Sequence, residues 1–354
     1  MRPGPGAQIL AGPTCVTPIV TSEFRGEFTP ITAWNVQVEA STGRGVQARL
    51  TITASPAMVP TTWDAPLACY GQRLHVDVRV STPMGEWDIK IGVYQIESWE
   101  EADDGTVRVE ALDLTQRLEK NPMLWPSSPP EGATLASELQ RLAGEPDDGG
   151  IPTAVIRNQA IARAYEWGTS RLEAIQKLLE SMGMTYLVTP EGVLLASEPT
   201  TLDVAVESYT GQDLLIQANR RSRPRGPNRW MVTGNQQGEA NTAWSAVVDN
   251  FEDPRYRASS YGVVTDRNTM DIADTADAIY AASETYKRNA IAASGARSLQ
   301  IVMDPRLELG DVIDVSVTHG EIPETLRGRV TGYSMTLDDP AQTMRVDVEV
   351  NDGQ

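Results

Sequence analysis

The chain is poor in the residues that build chemistry. Its 354 residues include two histidines, two cysteines, three phenylalanines and only four lysines. Cys15 and Cys69 are too few for a disulfide framework or a zinc cluster, so two buried free thiols are expected, with a single bridge as the alternative. A Ser–His–acid triad would need His75 or His319. His75 lies in an alternating apolar segment and His319 in a Thr-His-Gly turn, and both read as surface residues. There is no G-x-S-x-G elbow, phosphate-cradling loop, dinucleotide fingerprint, H-E-x-x-H or EF-hand pattern. No catalytic residue, cofactor site or metal site is therefore expected. Carboxylates are plentiful enough to leave a two-carboxylate glycosidase open on composition. Yet Asp103-Asp104 and Asp147-Asp148 precede glycine, and Asp338-Asp339 precedes proline, which is turn chemistry. No apolar run reaches about 18 residues, so no membrane span is expected. The N-terminus, Met-Arg-Pro-Gly-Pro-Gly, lacks the pattern of a secretory leader.

Basic charge is also scarce. Lys plus Arg number 30 against 48 Asp plus Glu, a net charge of −18. Such a surface repels polyanions and argues against a generally basic nucleic-acid binder. The apolar fraction of 40% and charged fraction of 22% are those of a globular protein, which excludes wholesale disorder. The length suits two or three domains.

Residues 1–117 read as β structure. Segments 31–40, 49–53, 73–80, 88–96 and 106–112 alternate apolar and polar residues, the signature of strands with one buried face. Turn signals separate them at 41–43, 83–85 and 103–105. No helix pattern precedes residue 111. After a proline-rich stretch at 121–130, Thr134 caps a short helix lined by Leu135, Leu139 and Leu142 and closed by Gly144. Ser170-Arg-Leu-Glu173 matches a capping box, with Glu173 able to reach back. Leu172, Ile175, Leu178, Leu179 and Met182 continue one apolar face, and a hairpin follows over 184–196. Segment 131–200 is therefore α+β. Beyond residue 203 the β texture returns, with strands at 230–233, 298–303, 311–317, 329–335 and 343–350 and one helix over about 273–293.

Two features stand out. Arg220, Arg221, Arg223, Arg225 and Arg229 form a cluster with no acid between them. It fits phosphate contact, docking on an acidic neighbouring subunit, or a solvated loop. Eight tryptophans exceed three phenylalanines. They fit sugar stacking or, more commonly, core and interface packing.

The order of segments resembles the central hub proteins of phage tail tips and baseplates. Four places carry the resemblance. The first is Gly92-Val-Tyr-Gln-Ile-Glu-Ser98 followed by the run from Val107 to Leu118, similar to the family's "G-x-Y-x-I" and "v-x-a-x-D-x-x-x-x-L" phrases. The second is the helix and hairpin over 170–194. The third is Asn228-Arg-Trp-Met-Val-Thr-Gly234 with Ser260-Tyr-Gly262 and the later helix. The fourth is Pro305-Arg-Leu-Glu-Leu-Gly-Asp-Val-Ile-Asp-Val315, similar to "P-x-L-x-x-G-D-x-v-x-v".

The resemblance implies an α+β, mainly β fold: two β-barrel-like domains of related topology with an inserted α+β region. Residues 1–117 would form the first barrel, 201–240 and 298–354 the second, and 118–200 with 241–297 the insert. It further implies a non-enzymatic structural virion protein. Three copies would close a ring at the distal end of a tail, joining a sixfold tail ring to a threefold tip. The partners implied are the distal tail ring protein, the tape measure protein and other minor tail or fibre proteins. DNA would cross the lumen without specific binding, and assembly would take place in the host cytoplasm. The alternatives are the hub of a phage-derived injection machine and a carbohydrate-binding or glycan-degrading protein.

Overall fold

A computed structural model gives the arrangement of the chain. It describes residues 1–42, 45–144, 149–161, 165–211, 214–219, 226–234, 245–254, 256–270, 276–294, 296–319 and 322–350.

The first segment holds one helical turn, α1 (Ala7–Leu10), and seven strands: β1 (Cys15–Phe24), β2 (Glu27–Ile31), β3 (Ala33–Ser41), β4 (Ala48–Ala54), β5 (Arg73–Thr82), β6 (Gly85–Glu101) and β7 (Val107–Asp113). Alternation makes them: Leu74, Val76, Val78 and Val80 of β5 are fully buried while the residues between them are not. Here α1 and a 3-10 turn at Pro56–Met58 depart from the helix-free expectation. Each is a single turn, too short to leave a 3.6-residue pattern in the sequence.

The second segment is α+β: α2 (Gln116–Lys120), α3 (Leu135–Ala143), β8 (Thr153–Val155), α4 (Arg171–Ser181), β9 (Thr185–Val188) and β10 (Leu194–Ser197). Leu135, Leu139 and Leu142 pack with Ile175, Leu178, Leu179 and Trp167 in a core of their own. Thr134 caps α3 and forms a reciprocal capping box with Ser137. Ser170 caps α4 by accepting from the Glu173 N–H, but Glu173 does not reach back as expected. Its carboxylate turns to Lys177, 2.9 Å away and one turn on.

The last segment holds β11 (Glu207–Thr210), β12 (Leu215–Asn219), β13 (Arg229–Gly234), β14 (Ser245–Asp249), α5 (Ala258–Tyr261), β15 (Thr265–Met270), α6 (Ala276–Ser294), β16 (Ala296–Val302), β17 (Val312–His319), β18 (Ile322–Thr336) and β19 (Thr343–Val350). β13 pairs with β14 and β15 in a small sheet. There Trp230 and Val232 are buried, and Val232 packs with Ile279 of α6. The strand near 230 thus pairs with 245–249 and 265–270 rather than with the later strands.

The chain is mainly β, and its strands from both ends join in one large sheet. The order runs β12-β16-β19-β18-β3-β4-β7-β6-β5-β1-β2, with β17 and β11 attached through β18. The path is open, so two separate closed barrels do not form among the described residues. The join is β18 with β3, where Tyr333 faces Ala40 and Met335 faces Val38.

Within that sheet a strand order occurs twice. The first half reads β1-β5-β6-β7-β4-β3, and the second reads β11-β17-β18-β19-β16-β12. The two long strands correspond, 17 residues in β6 and 15 in β18. Each carries a register shift against its neighbour, at Ile96/Ser98 and at Val330/Gly332. One step differs: β1 meets β5 antiparallel, whereas β11 meets β17 parallel.

Candidate assembly surfaces

A buried ionic clamp fixes the two halves together. Asp304, fully buried, follows β16 and accepts from the Tyr209 hydroxyl at 2.6 Å. Arg306 folds back onto it, with Nε 2.9 Å from Oδ1 and Nη2 2.7 Å from Oδ2. The same Nη2 lies 2.5 Å from Glu207 Oε2. Arg2 comes in from the far end of the sequence. Its guanidinium donates to the Pro305, Leu307 and Ile91 carbonyls and, at 3.4 Å, to the Tyr333 hydroxyl. The N-terminal amine lies 2.8 Å from Asp311 and 3.0 Å from Glu308. Gly310 closes the turn between them at φ +85°, a conformation glycine adopts without strain.

The electrostatics follow from burial. Desolvation works against the Arg306 cation, but Asp304 and Glu207 outweigh it and hold the guanidinium above its ordinary range. Burial likewise opposes the Glu207 carboxylate, yet hydrogen bonds from Arg306 and the Ala7 N–H keep its pKa below normal. Burial and the neighbouring Asp304 push Tyr209 well up. Sequence reasoning missed Arg2, Asp304 and Arg306. The partners of Arg2 lie up to 331 residues away, and Arg306 and Asp304 gain meaning only with Glu207 and Tyr209, about 100 residues upstream, so the sequence does not announce the cluster.

Beside the clamp, a cavity of about 430 Å³ opens between the sheet and the β9–β10 hairpin. Its polar lining includes Arg2, Gln47, Tyr94, Asp113, Glu308 and Asp311. Desolvation raises the Asp113 pKa against the pull of hydrogen bonds from Thr115 and Ala48.

His75 pairs with an acid on the neighbouring strand. Its Nε2 sits 2.7 Å from Glu23, and its ring lies 5.5 Å from that of Phe28. His319 is the last residue of β17. Among the described residues no three His, Cys, Asp or Glu side chains gather as a metal site. Both cysteines are free and exposed, which corrects the expectation of buried thiols. Cys15 starts β1 on a solvent-facing position, and Cys69 lies in the loop before β5.

Of the arginine cluster, Arg220, Arg221, Arg223 and Arg225 lie outside the described residues. Arg229 starts β13, 4.0 Å from Asp249 and with its guanidinium 5.0 Å from the Phe251 ring centre. The tryptophans divide: Trp167 and Trp230 are buried, whereas Trp125 is 78% exposed beside Leu124 at 86%. Backbone bonds from Met123 to Thr169 and between Ser127 and Trp167 hold that pair outward. Trp63 is half exposed, with Arg25 4.8 Å above its ring.

Among the open strand edges of the described residues, two lie in the doubled order, at β12 and at the end of β6. β12 ends the large sheet and bonds only β16. In β6 the partner β5 stops at Gln95, so residues 97–101 bond β7 on one side only. Ser98, Glu100 and Glu101 there are exposed.

No family model matches the chain, and no curated protein matches it in sequence. Solved structures do match in shape. A tail protein from Neisseria meningitidis aligns over 95% of this chain and 97% of its own, with a TM-score of 0.65 and 12% identity. The 43 kDa tail protein of prophage MuSo2 from Shewanella oneidensis covers 93% and 98%, at 0.59 and 13%. The prophage tail protein gp18 from Listeria monocytogenes covers 96% and 95%, at 0.59 and 10%. The open strand edges and the doubled strand order thus sit on a scaffold that is, over nearly its whole length, the fold of phage tail proteins.

Proposed function

We propose that this chain is a non-enzymatic structural protein of a phage tail, the hub at its distal end. Three copies close a ring that joins a sixfold tail to a threefold tip and surrounds the DNA channel. The doubled strand order carries this reading. One chain supplies two like units, so three chains supply six, and a trimer can face a sixfold ring with matching geometry. The two units correspond to the barrel-like domains, with 118–200 and 241–297 as the insert between them. Distal ring, tape measure, minor tail and fibre proteins are the partners, and the virion tail tip is the location. The net charge of −18 suits a lumen past which DNA slides without sticking. In this reading Arg220, Arg221, Arg223, Arg225 and Arg229 face protein rather than the lumen.

Electron microscopy of purified particles, with an antibody or a fused tag on this chain, tests the assignment. Label at the distal tail end, in threefold-symmetric density, is the expected result. Label along the tail tube or on the head would refute it.

A further inference from the structure

A row of side chains crosses one face of the large sheet near the start of β5. Phe28 of β2 faces Glu23 of β1, Glu23 faces Arg73 of β5, and Arg73 faces Gln95 of β6. Residues directly opposite across strands share a face. At the end of the row Arg117 of α2 donates from Nε to Gln95 Oε1 at 2.5 Å. Gln95 thus has both arginines as neighbours, Arg73 as its strand partner and Arg117 through its side-chain oxygen.

The charges of this row do not close. Glu23, its one acid, turns to His75, with Oε2 2.7 Å from Nε2. Among the described residues the Arg73 side chain has no hydrogen-bond or ion partner, and that of Arg117 has only Gln95. Arg73 and Arg117 against Glu23 leave one positive charge with His75 neutral, on a chain whose net charge is −18. Burial first, and then the like charge of Arg73, bring the Arg117 pKa down to about 10, against the pull of Glu23. Two close cations with their only acid engaged elsewhere attract an anion. The far end of the row is apolar. Phe28 is 60% exposed and, at about 4.8 Å between strands, lies roughly 10 Å from Arg73.

We propose that Arg73 and Arg117 together hold one carboxylate of an acidic segment of another protein, while Phe28 takes an apolar residue of the same segment. A guanidinium matches a carboxylate with two parallel hydrogen bonds. An extended chain advances about 3.4 Å per residue, so an acid and an apolar residue about three positions apart reach both ends of the row. One excess positive charge suits a single carboxylate better than a phosphate dianion, which would also meet Glu23. The proposal goes beyond the ring reading above and does not depend on it.

The test uses the full chain and a fluorescein-labelled octapeptide, Gly-Leu-Ser-Ser-Glu-Glu-Ser-Gly, with Gln-Gln and Lys-Lys versions in place of Glu-Glu. Anisotropy should show saturable binding of the Glu-Glu probe that weakens as salt rises, and binding of the Gln-Gln probe weaker by about tenfold or more. Arg73→Gln and Arg117→Gln should each weaken the Glu-Glu probe by about tenfold, and Phe28→Ser by roughly threefold. Lys90→Gln, at an exposed lysine of β6, should leave it unchanged. Arg73→Glu/Arg117→Glu should lose the Glu-Glu probe and take up the Lys-Lys probe. Arg73→Gln removes no hydrogen bond, so it decides alone if circular dichroism shows Arg117→Gln unfolded. No saturable binding up to about 1 mM, or binding that Arg73→Gln leaves intact, overturns the proposal. Displacement of the probe by inorganic phosphate at roughly one-tenth of the N-acetylglutamate concentration assigns the pair to phosphate and also overturns it. So does a mass above 38.6 kDa in light scattering that Arg73→Gln lowers, which assigns the pair to a contact between copies.

Discussion

Replacing Arg306 with methionine tests whether the buried Asp304–Arg306–Glu207 cluster stabilises the fold. The side chain is 7% exposed and makes three short bonds, two to Asp304 and one to Glu207. Methionine keeps the apolar stem and removes the charge. Asp304 would then be fully buried with no cation, retaining only the Tyr209 hydroxyl and the 306 backbone N–H. Breaking one side of a buried pair costs about 3–5 kcal/mol, and the two surviving donors favour the lower end. Denaturant midpoints at neutral pH would measure it. A pH series adds a second readout. Glu207 has a depressed pKa in the fold, so its contribution is complete above the unfolded value near 4.5 and is lost as pH falls through the lower folded value. That acid-side loss should shrink in the variant, because Arg306 is the strongest influence lowering the Glu207 pKa. Asp304→Asn combined with Arg306→Met should cost less than the two singles added together, since it removes both charges. A loss below about 1 kcal/mol for Arg306→Met would refute the clamp as a stabilising element.

Trp167→Phe should cost about 1.5–3 kcal/mol by thermal or denaturant unfolding, because the indole N–H donates to buried Glu138 at 2.6 Å. Gly192→Ala should destabilise by about 1–3 kcal/mol in the same assay: the residue sits at φ +80°, and a Cβ would meet Leu114 Cδ1 at 2.7 Å. Ser170→Ala should lose about 1 kcal/mol through the α4 cap, whereas Glu173→Gln should lose only about 0.3–0.5 kcal/mol, the worth of its exposed pair with Lys177. Trp125→Ser should leave unfolding unchanged within about 0.5 kcal/mol, because its side chain is 78% exposed.

Strands whose alternation is strict were legible in the sequence. β5, β7 and β19 each bury one face against a single core, and residues two apart report that directly. Helices α3 and α4 were legible for the same reason at a different period, and the cap residues Thr134 and Ser170 sit where expected. β1 was not read as a strand. Pro18 interrupts it, and its burial pattern is mixed rather than alternating. The doubled strand order was invisible because pairing depends on which face is apolar and not on which apolar residue is used. Val109 and Val346 share a place by chance of type, while Trp99 and Tyr333 do so with different side chains. The clamp was invisible for a different reason. Asp304 and Arg306 look like surface charges until the fold supplies each with the other and with Glu207. Of the sites, only the arginine cluster was marked by composition, and most of it lies outside the described residues.

The reach of Arg2 across the chain has a consequence for synthesis. Its guanidinium binds the carbonyls of Pro305 and Leu307, 303 and 305 positions later. At about 5–20 residues per second, a ribosome needs roughly 15–60 s to span that gap. During this interval the first strands exist without the segment that clamps them, and β3 lacks β18 along its open edge. The nascent first half is then a sheet whose β3 margin stays bare until β18 arrives. Neighbouring ribosomes on one message would display the same bare margin, so delay in covering β3 favours pairing between nascent chains over pairing within one.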